Sequence, residues 1–455
     1  MILTVADPPA HRGPLLPPAL TGAGLPLLSR PNYRRELVAA GFLPLAVSCV
    51  DMGVIGVVAT KALNAGALPV ALLESAPHAA ALSSVVWTRL MHGRDRVRFV
   101  LAMQLGLVLC VLLAAVLPVG AVGLALMVAT VFVARCFFVG ILAGRTELWR
   151  VNYPRDARAR ASGVFTIVTT LVVVSTTLAL GLALDAAGDH AVTAYRVFYI
   201  AAALLACAGI WSFSRIRWRG RRAALDEERA ASPAQRPGLG SMWRVLRDDR
   251  RYRQYMNAQM VMGCANLAAQ VPVVLALHDR FHLSYAWSLA ITAIVPKVMM
   301  IAAVPLWSRM LGRMHVVKFR AFHAWSFVLG NGLVGVGVLT LNVPLLLLAR
   351  GIVGAGMAGG TLAWNLGHHD FAARGDANSY MGVHVLLTGI RGATAPLLGA
   401  LLYTGWDVRA VGVHLRWEGI GGWAFIVCAA VGAAGALMFV RMLMTQRHAP
   451  ADGER

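Results

Sequence analysis

Apolar runs of roughly 20 residues follow one another from residue 37 to residue 444, and they constrain this chain more than any other feature. Each run suffices to cross a ~30 Å hydrocarbon core as a helix. A helix is required there because lipid offers the backbone no hydrogen-bond partners. Composition agrees: 58% of the 455 residues are hydrophobic and 14% charged, where a soluble domain carries about 25% charged. Mean hydropathy is +0.65. The fold class is an all-α polytopic membrane protein. Its twelve transmembrane helices are expected at 37–60, 67–88, 98–118, 121–147, 161–184, 192–213, 254–277, 284–307, 319–341, 343–366, 380–403 and 419–444.

The net charge of +21 lies in alternate connections between the runs. That is the positive-inside pattern, and the chain lacks the basic stripe interleaved with aromatics that nucleic acid would require. Arg89, Arg94, Arg96 and Arg98 lie between spans 2 and 3; Arg150, Arg155, Arg158 and Arg160 between 4 and 5; Arg309, Arg313, Lys318 and Arg320 between 8 and 9. The opposite connections are nearly bare, which puts both termini and the central connection in the cytoplasm of a bacterial-type inner (plasma) membrane.

Five segments follow: a flexible cytoplasmic tail (1–35) without signal-peptide features, a six-helix bundle (36–213), a basic cytoplasmic linker (214–253), a second bundle (254–445) and a short tail (446–455). The six cysteines all fall in apolar runs without a CxxC pair and read as small core residues. No metal site or cofactor is expected. His368 and His369 invite a metal reading, but helix neighbours point about 100° apart, and a solvated helix end explains them better.

The halves repeat. WTRLMHGRDRVRF (87–99) aligns without gaps on WSRMLGRMHVVKF (307–319), and ARCFFVGILAGRTELW (134–149) on ARGIVGAGMAGGTLAW (349–364). GVFTIVT (163–169) then meets GVHVLLT (382–388) at nearly the same offset. Two copies of one six-helix bundle, in one orientation, account for all three matches.

Two parallel six-helix repeats, a basic 2–3 loop echoed at 8–9, and an Arg followed by spaced glycines in span 4 and again in span 10 resemble the major facilitator superfamily over residues 37–444. Arg350, Gly354 and Gly356 carry the span-4 motif in its clearer copy; Arg135 and Gly140 carry the looser one. The 2–3 loop departs from the family order, since Leu90 stands where an acid is expected. The span-5 Gly-Pro motif of drug antiporters is absent as well. The resemblance implies alternating access around a cavity lined by spans 1, 4, 7 and 10. It also implies gating loops, here around Arg89, Arg94, Arg309 and Arg313.

Ionisable residues inside spans cost about 2.5–3.5 kcal/mol each on insertion scales and mark functional sites by default. The first half holds Asp51, Glu74, His78 and Arg135; the second holds Lys297, Arg350 and Arg391, with no acid deep in any span. Two acids against four cations leave a positive cavity, suited to a carboxylate or phosphate. Arg135, Arg350, Arg391 and Lys297 are the candidate substrate ligands, and Asp51 with Glu74 the candidate proton carriers. Other readings stand beside these. Asp51 and Arg135 form a structural pair, Lys297 and Arg391 snorkel, or Glu74 is a hydrogen-bonded acid near the outer face. Gln259, Asn266 and Gln270 share one face of span 7.

The expected function is secondary transport of a small anionic solute, proton-coupled, by a monomer whose partners are the solute, protons and lipid. A proton-coupled efflux antiporter for hydrophobic or cationic compounds is the first alternative; a non-transporting assembly protein on the same fold is the second. An enzyme is not expected, because no nucleophile–base spacing occurs.

Overall fold

The computed structural model describes residue 22 and residues 25–230, 239–372, 377–410 and 413–447. Span 1 comprises Arg30–Cys49 and Val54–Ala62, span 2 Ala67–Ala81 and Ser84–Met91, span 3 Arg96–Val116. Span 4 is Ala121–Asn152, span 5 Arg155–Ala187 and span 6 Ala191–Ser214. Span 7 comprises Arg250–Ala268 and Gln270–Asp279; span 8 runs through Tyr285–Leu289, a π turn at Ala290–Ile294, and Val295–Leu311. Spans 9 to 12 are Val316–Leu339, Val343–Leu366, Ala377–Thr404 and Trp423–Arg447. Ten stretches are long and apolar enough to cross a membrane; one of them holds both spans 5 and 6, and span 2 is divided into short pieces. The order is consistent with twelve spans.

Some boundaries move. Span 1 starts at Arg30, so residues 30–35, expected in the tail, are helical. Pro31 in the first turn favours this start, since its missing N–H would have had no helical acceptor. Residues 1–21, 23, 24 and 448–455, most of both expected tails, lie outside the described residues. The linker contains two helices, Arg221–Ala230 and Leu239–Asp248. Spans 11 and 12 are joined by a hairpin of β1 (Trp406–Ala410) and β2 (Val413–Trp417), with Trp406 opposite Trp417, where only a connection was expected.

The repeat is visible in the packing. Spans 1 and 6, 3 and 4, 3 and 6, 2 and 4, and 1 and 5 pack together, and so do 7 and 12, 9 and 10, 9 and 12, 8 and 10, and 7 and 11. Trp87 meets Phe99 edge-on at 6.2 Å, and Trp307 meets Phe319 at 5.7 Å, the same aromatic contact at the same place in each repeat. The halves meet through span 2 against span 11 and span 5 against span 8. Leu105, Leu109 and Leu113, one turn apart on span 3, are exposed. Such stripes suit lipid, which is as apolar as they are.

Helix interruptions fall in spans 1, 2, 7 and 8, again matched between the halves. At the span 7 interruption, a side chain at Gly399 would meet the Ala268 carbonyl oxygen at 1.8 Å. Only glycine lets span 11 seat against the break.

Candidate functional site

The break in span 1 builds the first part of the site. Gly53 has φ +79, which only glycine adopts readily, and Val50–Gly53 leave the helix before Val54 resumes it. The Gly53 N–H is the start of a half-helix, and it donates to both Glu74 carboxylate oxygens at 2.9 and 3.1 Å. A carboxylate fits there because a helix N-terminus carries unpaired N–H groups and partial positive charge. Gly56 completes the cradle, since a Cβ there would lie 2.3 Å from Glu74 Oε1. Glu74 is 1% exposed.

Asp51 projects from the same break and joins the halves. Its Oδ1 lies 3.2 Å from Arg135 Nη1 and its Oδ2 lies 3.0 Å from Lys297 Nζ in span 8. Lys297 therefore takes its acid from the first half, its own half having none deep in a span. Helix-by-helix reading missed it because the partner sits in the other half. Arg135 also lies over the Phe138 ring at 4.8 Å, and it does not line the central cavities. This is the geometry of the paired reading given above.

Arg350 is 3% exposed and is held by backbone. Nε donates to Ile291 O and Nη2 to Thr292 O, each at 3.1 Å, with Gln270 Oε1 at 3.5 Å. These carbonyls are available for a definite reason. The Val295 N–H reaches back five residues to Ala290 O in the π turn. The next N–H would come from residue 296, a proline with no hydrogen to donate. Pro296 is the missing donor for Ile291 in five-residue register and for Thr292 in four-residue register. No carboxylate lies within ion-pair distance of Arg350 among the described residues.

A cavity of about 50 Å³ is lined by Gly53, Glu74, Gln270, Thr292, Lys297 and Arg350. A second, of about 220 Å³, adjoins it, sharing Met52, Gln270 and Met357. His78, Gln259, Asn266, Gln270, Arg320 and Arg391 line it as well, which puts the span 7 polar stripe on this cavity, as its shared face implied. Arg391 Nη1 donates to Gln259 O at 2.7 Å. The guanidinium lies against Gly263, where a Cβ would come within 2.4 Å of Nη1. Arg391 and Lys297 both face the interior and do not snorkel.

Arg320 corrects the loop assignment. It belongs to the second turn of span 9, is 1% exposed, and reaches the larger cavity beside Gly360. The signal was present in KFRAFHAW, where apolar residues continue on both sides of the arginine.

The four expected gating arginines, Arg89, Arg94, Arg309 and Arg313, are exposed and make no ion pair among the described residues. The 2–3 loop is tied instead through Arg96 to Glu228 of the linker, which also accepts from the Gly93 N–H at 2.9 Å. Arg221 of the linker pairs with Asp95 at 2.9 Å. The acid missing at Leu90 is thus supplied by the linker. Arg145 reaches Glu36 at 3.4 Å, a latch between spans 4 and 1. His368 and His369 lie in the turn after span 10 with ring centroids 4.1 Å apart and tilted by 36°; His369 is exposed as expected of a solvated helix end, whereas His368 is buried, and no group of three metal-ligating side chains occurs among the described residues.

Cross-half contacts gather at the end bearing the 1–2 and 7–8 connections. Asp185 accepts from the Tyr285 and Ala286 N–H groups at 2.6 and 2.9 Å, and Lys61 donates to Leu283 O. Thr292 Oγ1 donates to Gly53 O at 3.0 Å.

A family profile described as Major Facilitator Superfamily matches residues 37–324. Among solved structures, a variant of the nucleoside transporter NupG is similar with a TM-score of 0.70 at 13% identity, covering 91% of this chain and 99% of that one. A POT family transporter in complex with a thioalcohol-conjugated peptide gives 0.66 at 11% identity, covering 91% and 96%. A D-xylose-proton symporter gives 0.62 at 12%, covering 91% and 97%. No curated protein matches by sequence. At these identities the structures speak for the fold alone.

Proposed function

Because this chain belongs to the major facilitator superfamily, we propose that it moves a small anionic solute across a bacterial-type inner membrane by alternating access, coupled to protons. The observation that carries this reading is the charge balance between the halves. Among the described residues Glu74 is the acid that lines the cavities, against Lys297, Arg350, Arg391 and Arg320, while Asp51 is shared by Arg135 and Lys297. An anion entering this chamber offsets the excess, and a buried guanidinium discriminates strongly for it.

Asp51 and Glu74 carry the coupling. The Asp51–Lys297 pair crosses between the halves, so a proton on Asp51, or an anion drawing Lys297 away, loosens the same tie. Glu74 holds the start of a half-helix in place, and its protonation weakens that hold. Arg391 and Lys297 face the cavities and act on the solute; Arg350 lines the smaller cavity with its donors engaged by Ile291 and Thr292, and Arg135 balances Asp51. With both termini cytoplasmic, the end held by Asp185 and Lys61 is the outer one, and the chamber stands open inward. The solute passes unchanged, and a monomer contains the whole path.

The test is transport in proteoliposomes holding a pH-sensitive dye, screened with organic anions and lipophilic cations. Anion-dependent proton movement, abolished by Glu74→Gln, is expected. Proton movement driven only by lipophilic cations sinks the anion reading.

A further inference from the structure

The two cavities differ in charge. Glu74 lines the smaller one, whereas among the described residues no carboxylate lines the larger. Yet the larger holds two guanidinium groups, Arg391 at 7% and Arg320 at 1% exposure. Of the other buried arginines, Arg96 meets Glu228 and Arg135 meets Asp51, while Arg350 spends its donors on two backbone carbonyls; half-buried Arg145 meets Glu36. Arg391 has one backbone carbonyl, and Arg320 has Gly360 O and His323 Nδ1, both at 3.4 Å. The Nε–H of each is buried without an acceptor. Isolated buried charge costs several kcal/mol per ion, so two such groups in one chamber are arranged for something that neutralises them.

Neutral donors gather at the same place. The Trp364 Nε1–H and the Thr388 hydroxyl are buried without partners, and both residues line this cavity. Phe327, Met262, Leu267 and Met357 give the wall an apolar part, beside the neutral polar side chains of span 7, His78 and Thr361. At about 220 Å³ the space falls below the ~300–1,000 Å³ of pockets that take drug-sized ligands. It fits a small molecule with one charged end and one apolar end. An inorganic anion would satisfy the arginines and leave the apolar wall in contact with water.

We infer that Arg391 and Arg320 grip the carboxylate of a small organic acid, with Trp364 and Thr388 as neutral donors and the apolar or aromatic body against Phe327 and Met357. This rests on the anionic reading given above and deepens it: the solute is a monocarboxylate with a hydrophobic body, and the grip lies on spans 9 and 11 of the second half. Arg350, occupied by Ile291 and Thr292, is not part of it.

The experiment measures melting temperature of the purified full chain in detergent, titrated with benzoate, cyclohexanecarboxylate, benzyl alcohol, benzylamine, phosphate and sulfate. The two carboxylates stabilise; the neutral and cationic isosteres and the inorganic ions do not. Arg391→Gln and Arg320→Gln weaken benzoate about 30-fold or more, the loss typical of removing one partner of a buried charged contact. Arg350→Gln leaves benzoate binding within about threefold, since its donors are engaged elsewhere. Should either arginine variant fail to fold, Thr388→Val and Trp364→Phe serve instead, each weakening benzoate about five- to tenfold. Response to phosphate or sulfate alone, or benzoate binding that Arg350→Gln abolishes and Arg391→Gln spares, overturns this inference and leaves the anionic reading standing. Stabilisation by benzylamine alone overturns both. No response to any carboxylate overturns the inference as well.

Discussion

The two halves hold one repeat-related arginine in two ways. In the first half Arg135 meets a carboxylate, Asp51, through a single contact at 3.2 Å and lies on an aromatic ring. In the second, Arg350 meets no carboxylate and is held by two carbonyls released by a π turn and Pro296. The lesson is that a buried cation needs oxygen acceptors, and irregular backbone can supply what a missing acid does not. The exchange has a functional side. A carboxylate can take a proton and let go; a carbonyl cannot. The first half thus carries the titratable tie and the second a fixed one.

That contrast can be broken most severely at Asp51. Asp51→Ala leaves buried Arg135 and half-buried Lys297 without an acid, and removing one partner of a buried pair costs up to about 3–5 kcal/mol. A large fall in melting temperature in detergent is expected, and an unchanged value would show that the two cations find other acceptors. Next comes Arg350→Met, which strips two carbonyls of their donor but also removes a buried charge, so each unmatched group counts at the lower end of about 1–3 kcal/mol. Its loss of stability should remain below that of Asp51→Ala.

Lysine substitutions sharpen the same comparison. Arg135 uses one nitrogen on Asp51, so Arg135→Lys should cost less than about 1.5 kcal/mol. Arg350 spreads Nε and Nη2 over two carbonyls, a fork that a single ammonium cannot copy, so Arg350→Lys should cost more than Arg135→Lys. The reverse order in urea or thermal unfolding would refute the backbone-held picture. The smallest effect is a coupling. Pro296→Ala restores an N–H for the π turn carbonyls, and the double variant with Arg350→Met should show an interaction of about 0.5–1 kcal/mol in a double-mutant cycle. Strict additivity would mean that the proline does not free those oxygens.

Much of this was legible in the sequence. Span lengths follow from the bilayer, and the Trp87 and Trp307 segments betray the repeat before any contact is seen. A charge inside an apolar run was a sufficient signal for Asp51, Glu74, Arg135, Lys297, Arg350 and Arg391, because such groups have nowhere to go but inward. What they pair with was not legible. Lys297 finds its acid in the other half, and only packing brings the two together. The π turn has no period of its own that hydrophobicity would reveal, so the acceptors of Arg350 stayed hidden. Arg320 was lost among the basic residues of a connection, although one turn of helix separates it from them. Glu228 sits in a charged linker, where nothing in its local surroundings marks it as the partner of Arg96.

The Asp51 contacts also bear on how the protein is made. Span 1 reaches the bilayer first, and Arg135 follows 84 residues later. At roughly 5–20 residues per second of synthesis that is a wait of about 4–17 s. Lys297 arrives only after the linker and most of the third quarter of the chain have been translated. Through that interval the nascent first half holds an acid whose second partner does not yet exist. Each half taken alone is therefore electrically unfinished, and Asp51 has only Arg135 for a partner until span 8 emerges.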